Sequence, residues 1–467
     1  MASSAKSTSK RQKPSNTEEA SVVDRISNLR NSLLSHILSF LTIKEAVATS
    51  ILSSRWKSLW THVPNLNLDD GEFKRIPISS DEESRNRYRF TFDHFVPRIW
   101  ALRNANPLQK FRLRWHFGCD PIHVDTWVRA AIAQGLEELD LDLCLDQPFY
   151  MPCTLFSYGK TLVVLKLSGD EIVLNSPSSS LGFPSLKILH LHSVTYSNHD
   201  SFSRLLSCCP VLRDLSIKIE YDKQECNFEI IVPTLKKLHL NMENLVYKLV
   251  INTPALEYLY FRGILNEALL LENLSNLVKA VLDVDPDYET NEDHEEYGNM
   301  EWDFISALNS VKSLYLYGDT TLCLCRSSEF EVPMFHNLTF LNFCVHSCMW
   351  HVLPLFLERV PNLEVLILDK RTNCPYYHEE CSITLEWKYY EDVPKCVSSH
   401  LTAFHFKGFR GFKDELEIVE QILKWARVLK KMTISSYPNL LDSVKVRVLQ
   451  ELLMFPRQSA TCKIEYN

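Results

Sequence analysis

From residue 108 onward the chain repeats one short pattern, a hexapeptide of the form L-x-x-L-x-Φ with Φ apolar. It reads LQKFRL from Leu108, LEELDL from Leu136, LVVLKL from Leu162, LKILHL from Leu186, LRDLSI from Leu212, LKKLHL from Leu235 and LEYLYF from Leu256. It continues as LVKAVL from Leu277, VKSLYL from Val311, LTFLNF from Leu338, LEVLIL from Leu363, LTAFHF from Leu401 and LKKMTI from Leu429. The first residues lie 21 to 38 positions apart, and most spacings fall in or near the leucine-rich-repeat range of roughly 20 to 29. Alternating apolar residues predict a short strand with one buried face in each unit, and stacking of the units predicts a parallel sheet in a solenoid. Pro184, Pro210, Pro233, Pro254 and Pro361 precede hexapeptides, where no ladder N–H is needed. The Asn or Cys usual three residues after the hexapeptide is mostly missing, Cys144 being one of the few matches. The expected solenoid is therefore irregular, with less of a side-chain ladder.

The spacing after Leu277 is long and carries an acidic run from Asp285 to Glu296, expected to loop out into solvent. The one after Leu363 contains CPYYHEEC from Cys374 to Cys381.

Ahead of the repeats the period changes from two to helical. Leu33, Leu34, Ile37, Leu38 and Leu41 share one helix face, with Asn31 or Ser32 as its cap. Thr42-Ile43-Lys44-Glu45 reads as a capping box that starts a second helix carrying Ala46 and Val47. A third helix is expected to present Leu52, Trp56, Leu59 and Trp60 and to stop before Pro64. Three short helices make too small a core to cover their own apolar surface, so this segment reads as a docking module. Residues 1 to 20 are polar, without apolar periodicity, and are expected to be disordered. Within them Lys10-Arg11-Gln12-Lys13 reads either as a basic nuclear-import signal or as a solvated charge run.

The full chain has 467 residues, 45% hydrophobic and 23% charged, an ordinary globular profile with room for more than one unit. A net charge of −8 argues against a nucleic-acid partner. Neither a secretory h-region nor a membrane-spanning apolar stretch stands out, so the expected location is the nucleus, the cytoplasm or both, with no membrane partner. In that setting the 14 cysteines are expected to be reduced and mostly buried.

Chemistry is sparse. There is no Cys-x-x-Cys for a zinc-bound RING, no Walker loop and no G-x-S-x-G elbow. Cys344, His346, Cys348 and His351, or Cys374, His378 and Cys381, are metal-like spacings. Because alternate strand residues point to opposite faces, ordinary core and surface cysteines are the preferred account, and neither metal nor cofactor is expected. The expected binding surface is the concave face of the repeats. Its candidates lie between the two apolar residues of each strand: Asp140, Lys166, His190, Ser216, His239, Tyr260, Tyr315 and Asn342. Their mixed charge and two tyrosines suit a protein partner.

The segment from Asp24 to Asp70, with Leu33-Leu34, Ile37-Leu38-Ser39-Phe40-Leu41, Leu52-Ser53, Arg55-Trp56 and Leu59-Trp60, resembles the F-box of plant F-box/leucine-rich-repeat proteins. Val393 to Ile434 is similar to the FBD segment that ends many of them. Arg30 and Thr42-Ile43 stand where that family often has prolines. The resemblance implies an α+β chain: a disordered tail (1–20), a small helical F-box (21–70), an irregular leucine-rich-repeat solenoid with a parallel sheet (100–390) and a C-terminal FBD cap (391–467). In that cap a helix carrying Leu416, Val419, Ile422, Leu423 and Ala426 packs over the last repeats. It further implies a non-catalytic substrate adaptor of an SCF ubiquitin ligase. The F-box would bind a Skp-type adaptor, and through it cullin and RING subunits, while the repeats hold an unidentified protein substrate. The adaptor-facing candidates are Leu29, Leu33, Leu34, Ile37, Leu38, Leu52, Trp56, Leu59 and Trp60. The alternatives are a small-molecule-sensing F-box receptor and a repeat scaffold with a weakened adaptor contact.

Overall fold

The structure, a computed structural model, describes residues 25–26, 28–73, 92, 94–103, 107–175, 182–198, 200–219, 227–242, 248–265, 269–285, 302–317, 320–321, 324, 332–345, 350, 352–370, 393–438 and 440–467. The N-terminal tail, most of the acidic insertion, CPYYHEEC, and His346, Cys348 and His351 lie outside these residues. The chain divides into two compact units between Pro64 and Asn65.

The first unit is built on helices α1 (Asn31–Leu38) and α2 (Ile43–Ala48). The apolar face of α1 is wide enough to be split. Leu34 and Leu38 turn inward, into a core with Ile43, Ala46, Leu59, Trp60 and Val63, while Leu33 and Ile37 turn outward. The capping box forms as expected: the Thr42 hydroxyl accepts from the Glu45 N–H at 3.3 Å, and the Glu45 carboxylate accepts from the Thr42 N–H at 3.0 Å. Such a cap contributes about 1 kcal/mol.

Two expectations fail here. Neither Asn31 nor Ser32 caps α1; Arg30 occupies that position, with no side-chain bond, and Asn31 Oδ1 instead accepts from Arg55 Nε at 2.8 Å. The third α-helix is replaced by 3₁₀ turns at Thr49–Ile51 and Leu59–His62. Leu52, Trp56 and Leu59 donate three residues back, at 3.0, 3.1 and 3.3 Å. Ser53, Ser54 and Ser58 are weak helix formers, and so short a run closes more readily with tight three-residue turns.

The second unit carries a 15-stranded parallel sheet whose order in space is its order in the chain. Its strands are β1 (Asn65–Asp69), β2 (Lys110–Cys119), β3 (Glu138–Leu145), β4 (Val164–Ser168), β5 (Ile188–His192), β6 (Asp214–Ile219), β7 (Lys237–Met242) and β8 (Tyr258–Gly263). They continue as β9 (Lys279–Val284), β10 (Ser313–Leu316), β11 (Phe340–Val345), β12 (Val365–Lys370), β13 (Ala403–Phe409), β14 (Lys431–Ser436) and β15 (Lys463–Tyr466). Each hexapeptide forms one strand, from β2 to β14. The outer two were not read from the repeat pattern, although NLNLD in β1 alternates cleanly. Residues 65–69 form the first strand of this sheet, paired with β2.

One hydrogen-bond device joins each unit to the next. The carbonyl of the second hexapeptide residue accepts two successive N–H groups of the following unit. Val163 O takes Lys187 N (2.9 Å) and Ile188 N (3.1 Å), Lys187 O takes Arg213 N (2.9 Å) and Asp214 N (3.0 Å), and the pattern runs on to Thr402 O. Just before it, a turn closes from the first leucine to the residue three back, as in Leu186 N to Phe183 O at 3.3 Å and Leu363 N to Val360 O at 3.3 Å. Pro184 and Pro361 occupy the second turn position, where their fixed φ fits. Side chains add rungs at this entry turn: Thr161 Oγ1 to Leu136 O (2.8 Å), Thr234 Oγ1 to Leu212 O (2.8 Å) and Asn362 Nδ2 to His336 O (2.8 Å). The side-chain ladder that looked diminished after the hexapeptide thus has a counterpart ahead of it.

Around the sheet the unit also carries two three-stranded parallel sheets and several helices, among them α3 (Pro121–Ile132), α4 (Lys413–Trp425) and α5 (Asp442–Met454). In α4, Val419, Ile422 and Leu423 are buried as expected, with Ala426 just beyond it, whereas Leu416 is half-buried and Ile418 takes an inward place. A buried charge pair fixes this helix to β12. Lys370 Nζ lies 2.5 Å from Glu415 Oε1, and Glu415 Oε2 accepts from the N–H groups of Arg410 (2.8 Å), Gly411 (2.7 Å) and Phe412 (3.1 Å). Removing one partner of a buried pair leaves an uncompensated charge. Glu415→Ala is accordingly expected to destabilise the second unit by about 3–5 kcal/mol in a denaturant titration. A Leu238→Ala cavity under β7 is expected to cost about 2–5 kcal/mol in the same measurement.

Candidate functional site

Two surfaces stand out, one in each unit. In the first unit, Leu33, Ile37, Phe40, Ile51 and Leu52 are 50%, 45%, 78%, 88% and 64% exposed. That much bare apolar surface on a unit of this size is costly unless something covers it. Of the residues expected to face an adaptor, Leu33, Ile37 and Leu52 are on this face, and Leu29 and Trp56 are half-buried. Leu34, Leu38, Leu59 and Trp60 correct the expectation: each is at most 5% exposed, because the unit has nothing else from which to build a core. Phe40 and Ile51 were missed as face residues; they lie in turns, outside the helical spacing that placed Leu41 with α1.

The approach to this face is held by Arg55. Its guanidinium donates to Asn31 Oδ1 and to the Leu29 carbonyl, binding the segment ahead of α1 to the turn after Leu52. Arg30 has φ −64° and ψ 151°, and proline fixes φ near −65°. The segment therefore keeps a backbone that proline also favours, held by side-chain hydrogen bonds in place of a ring.

In the second unit the register unites the sequence candidates into a single row. Asp140, Lys166, His190, Ser216, His239 and Tyr260 are successive partners across β3 to β8. Val281 follows, then Tyr315 and Asn342. Strand alternation sends the residues on either side inward, so the row stands on the polar face. Asn342 departs from expectation: at 2% exposed it is not an accessible contact. Flanking rows two residues to each side add Lys237, Tyr258, Lys279, Arg262 and Asp283, which the focus on one central position overlooked.

The face changes character along the sheet. At β1 to β3 the charges are mutually matched: Lys110–Glu138 at 2.8 Å, Arg112–Asp140 at 3.2 Å and Arg114–Asp69 at 3.6 Å. Burial raises the Asp140 carboxyl despite the pull of Arg112. From β5 to β10 aromatic rings dominate. The His190 and His192 rings stack at 6.1 Å, His239 lies 5.6 Å from Tyr260, and Lys279 Nζ sits 4.3 Å from the Tyr315 ring centre. The hydrogen bond from His190 holds Asp214 below the usual carboxylate range, and burial pushes the Tyr258 and Tyr260 phenols up. Cys344, from the metal-like spacing, is buried in β11. Among the described residues no group of three His, Cys, Asp or Glu side chains is arranged to hold a metal, and no helix is long and apolar enough to cross a membrane.

A small helical unit with part of its apolar surface bare, followed by a register-locked repeat sheet with a polar face, defines a docking-module-plus-repeat protein. Comparison agrees unit by unit. Residues 26–68 match the F-box domain model, 124–273 the model described as "FBD-associated F-box protein At5g56370, LRR repeats", and 388–434 the FBD model. In Arabidopsis thaliana, the putative FBD-associated F-box protein At3g50710 is 32% identical over 95% of this chain and 99% of its own length. The putative F-box/FBD/LRR-repeat protein At5g44950 is 30% identical over 94% and 99%, and the FBD-associated F-box protein At5g56370 is 30% identical over 95% and 100%. The chain belongs to the F-box/FBD/LRR-repeat family.

Burial holds His239 and His405 below the ordinary histidine value of 6.5. As pH falls, the unfolded chain therefore takes up protons first. Their contribution is fully present above 6.5 and is lost below it as pH approaches the folded values. Thermal unfolding of wild type should lose stability as pH is lowered from 7 to 5, and His239→Gln with His405→Gln should flatten part of that slope.

Proposed function

We propose that this chain is the substrate-recognition subunit of an SCF-type ubiquitin ligase. It docks on a Skp-type adaptor, and through it on cullin and RING subunits, and holds a protein target on the polar face of its repeats. The observation that carries this reading is the bare apolar face of α1 and the following turns: Leu33, Ile37, Phe40, Ile51 and Leu52. A helical unit this small gains stability by covering that face with a partner. The chain then contributes no bond-making chemistry; it supplies proximity, raising the effective concentration of target near the ubiquitin-loaded enzyme. In this reading the sheet is a solenoid, its FBD segment continues and closes it, and the protein works in the nucleus or cytoplasm.

Leu33→Asp with Ile37→Asp in the full chain should abolish capture of a Skp-type adaptor while leaving the melting temperature within a few degrees of wild type, since both side chains are outside the core. Leu34→Ala should instead lower stability by about 2–5 kcal/mol. Adaptor capture unchanged by the two aspartates would refute the proposal.

The family's frequent proline offers a second check. Arg30 already has proline-compatible φ, and its N–H donates to no group among the described residues. Arg30→Pro is therefore expected to stabilise by about 0.4–1 kcal/mol through the unfolded state. If the same change alone converted a non-binding chain into an adaptor binder, the reading as a scaffold with a weakened contact would replace the first.

A further inference from the structure

We infer that the strip Lys237–Tyr258–Lys279 on the polar face binds an acidic, extended segment of the target protein, with two carboxylates three residues apart. The inference deepens the proposed function and rests on its claim that this face holds the target.

The three residues are direct register partners on β7, β8 and β9, so the lysines flank the tyrosine at equal height on neighbouring strands. Asp214, the direct register partner of Lys237 on β6, lies 3.5 Å from His190, and Asp283 on β9 lies 3.8 Å from Arg262. Neither Lys237 nor Lys279 has an ion-pair partner among the described residues. Lys279 is held over aromatic faces instead, 4.3 Å from the Tyr315 ring centre and 5.6 Å from that of Tyr258. That seat orients the ammonium without neutralising it. The chain as a whole carries −8, so two lysines without a salt bridge, two strands apart on the sheet, run against its general charge. By contrast, Lys110, Arg112 and Arg114 on β2 each form an ion pair with a carboxylate on a neighbouring strand, at 2.8, 3.2 and 3.6 Å.

The spacing selects the ligand. Two inter-strand steps of about 4.8 Å separate the lysine backbones by about 10 Å. An extended peptide crossing the strands advances about 3.3 Å per residue, so acidic residues at i and i+3 reach the same span. Each carboxylate then meets an ammonium in a charge-assisted hydrogen bond. The aliphatic part of the intervening residues rests on Tyr258, and the rings of His239 and Tyr260 border the strip.

The test uses the full-length chain and short fluorescent synthetic peptides with Glu at i and i+3, alongside the same peptides with Gln at both positions. Anisotropy should show the Glu peptides binding about tenfold more tightly than the Gln versions, a difference that shrinks as salt screens the charges. Lys237→Glu with Lys279→Glu should abolish this discrimination while capture of the Skp-type adaptor is unchanged. Leu33→Asp with Ile37→Asp should do the reverse, which separates failure of this inference from failure of the docking proposal. Equal binding of Glu and Gln peptides, binding of neither, displacement of the peptide by a single-stranded oligonucleotide, or self-association through the strip in place of peptide binding would each overturn the inference.

Discussion

The second unit depends on one repeated constraint: a single carbonyl that receives two consecutive N–H groups from the next unit. Val163, Lys187, Arg213 and their counterparts play this part. The bond pair fixes where each strand begins, and a strand begun one residue early or late would turn its leucines to solvent. Register and burial are thus the same fact. With register fixed, Leu189, Leu215 and Leu238 fall in one buried row and His190, Ser216 and His239 in one polar row. The face that presents chemistry is a by-product of the device that hides the core.

The helical unit obeys a different economy. Its handful of inward side chains cannot bury every apolar residue that α1 carries, so the helix is divided between a core and a bare face. Arg55 maintains that division by holding the segment ahead of α1 through Leu29 and Asn31.

Much of the sheet was legible in the sequence because its signal is redundant. Any one hexapeptide is weak, but the series gives strand positions, register and the central polar row together. What escaped was whatever lacked repetition. NLNLD in β1 sits far from its neighbour in sequence, and the last strand ends in Tyr466, without a leucine. In the helical unit the spacing of Leu52, Trp56 and Leu59 suits a helix, yet the serines among them favour tight turns, so periodicity misassigned what faces out. The sequence pattern also could not show that Leu34 and Leu38 are spent on the core, since burial in a small bundle depends on what little else is present. On the polar face it named the central residues of β3 to β8, β10 and β11 and missed Lys237 and Lys279, because the relation between them exists only across strands.

Because the carbonyl device uses backbone atoms and the inward rows use the leucines, the register of the sheet does not depend on outward side chains such as His239, Tyr260 and Lys279. They are free to diverge. Where that face holds the target, as proposed, a family built this way can retarget itself by point changes on one face while retaining its architecture.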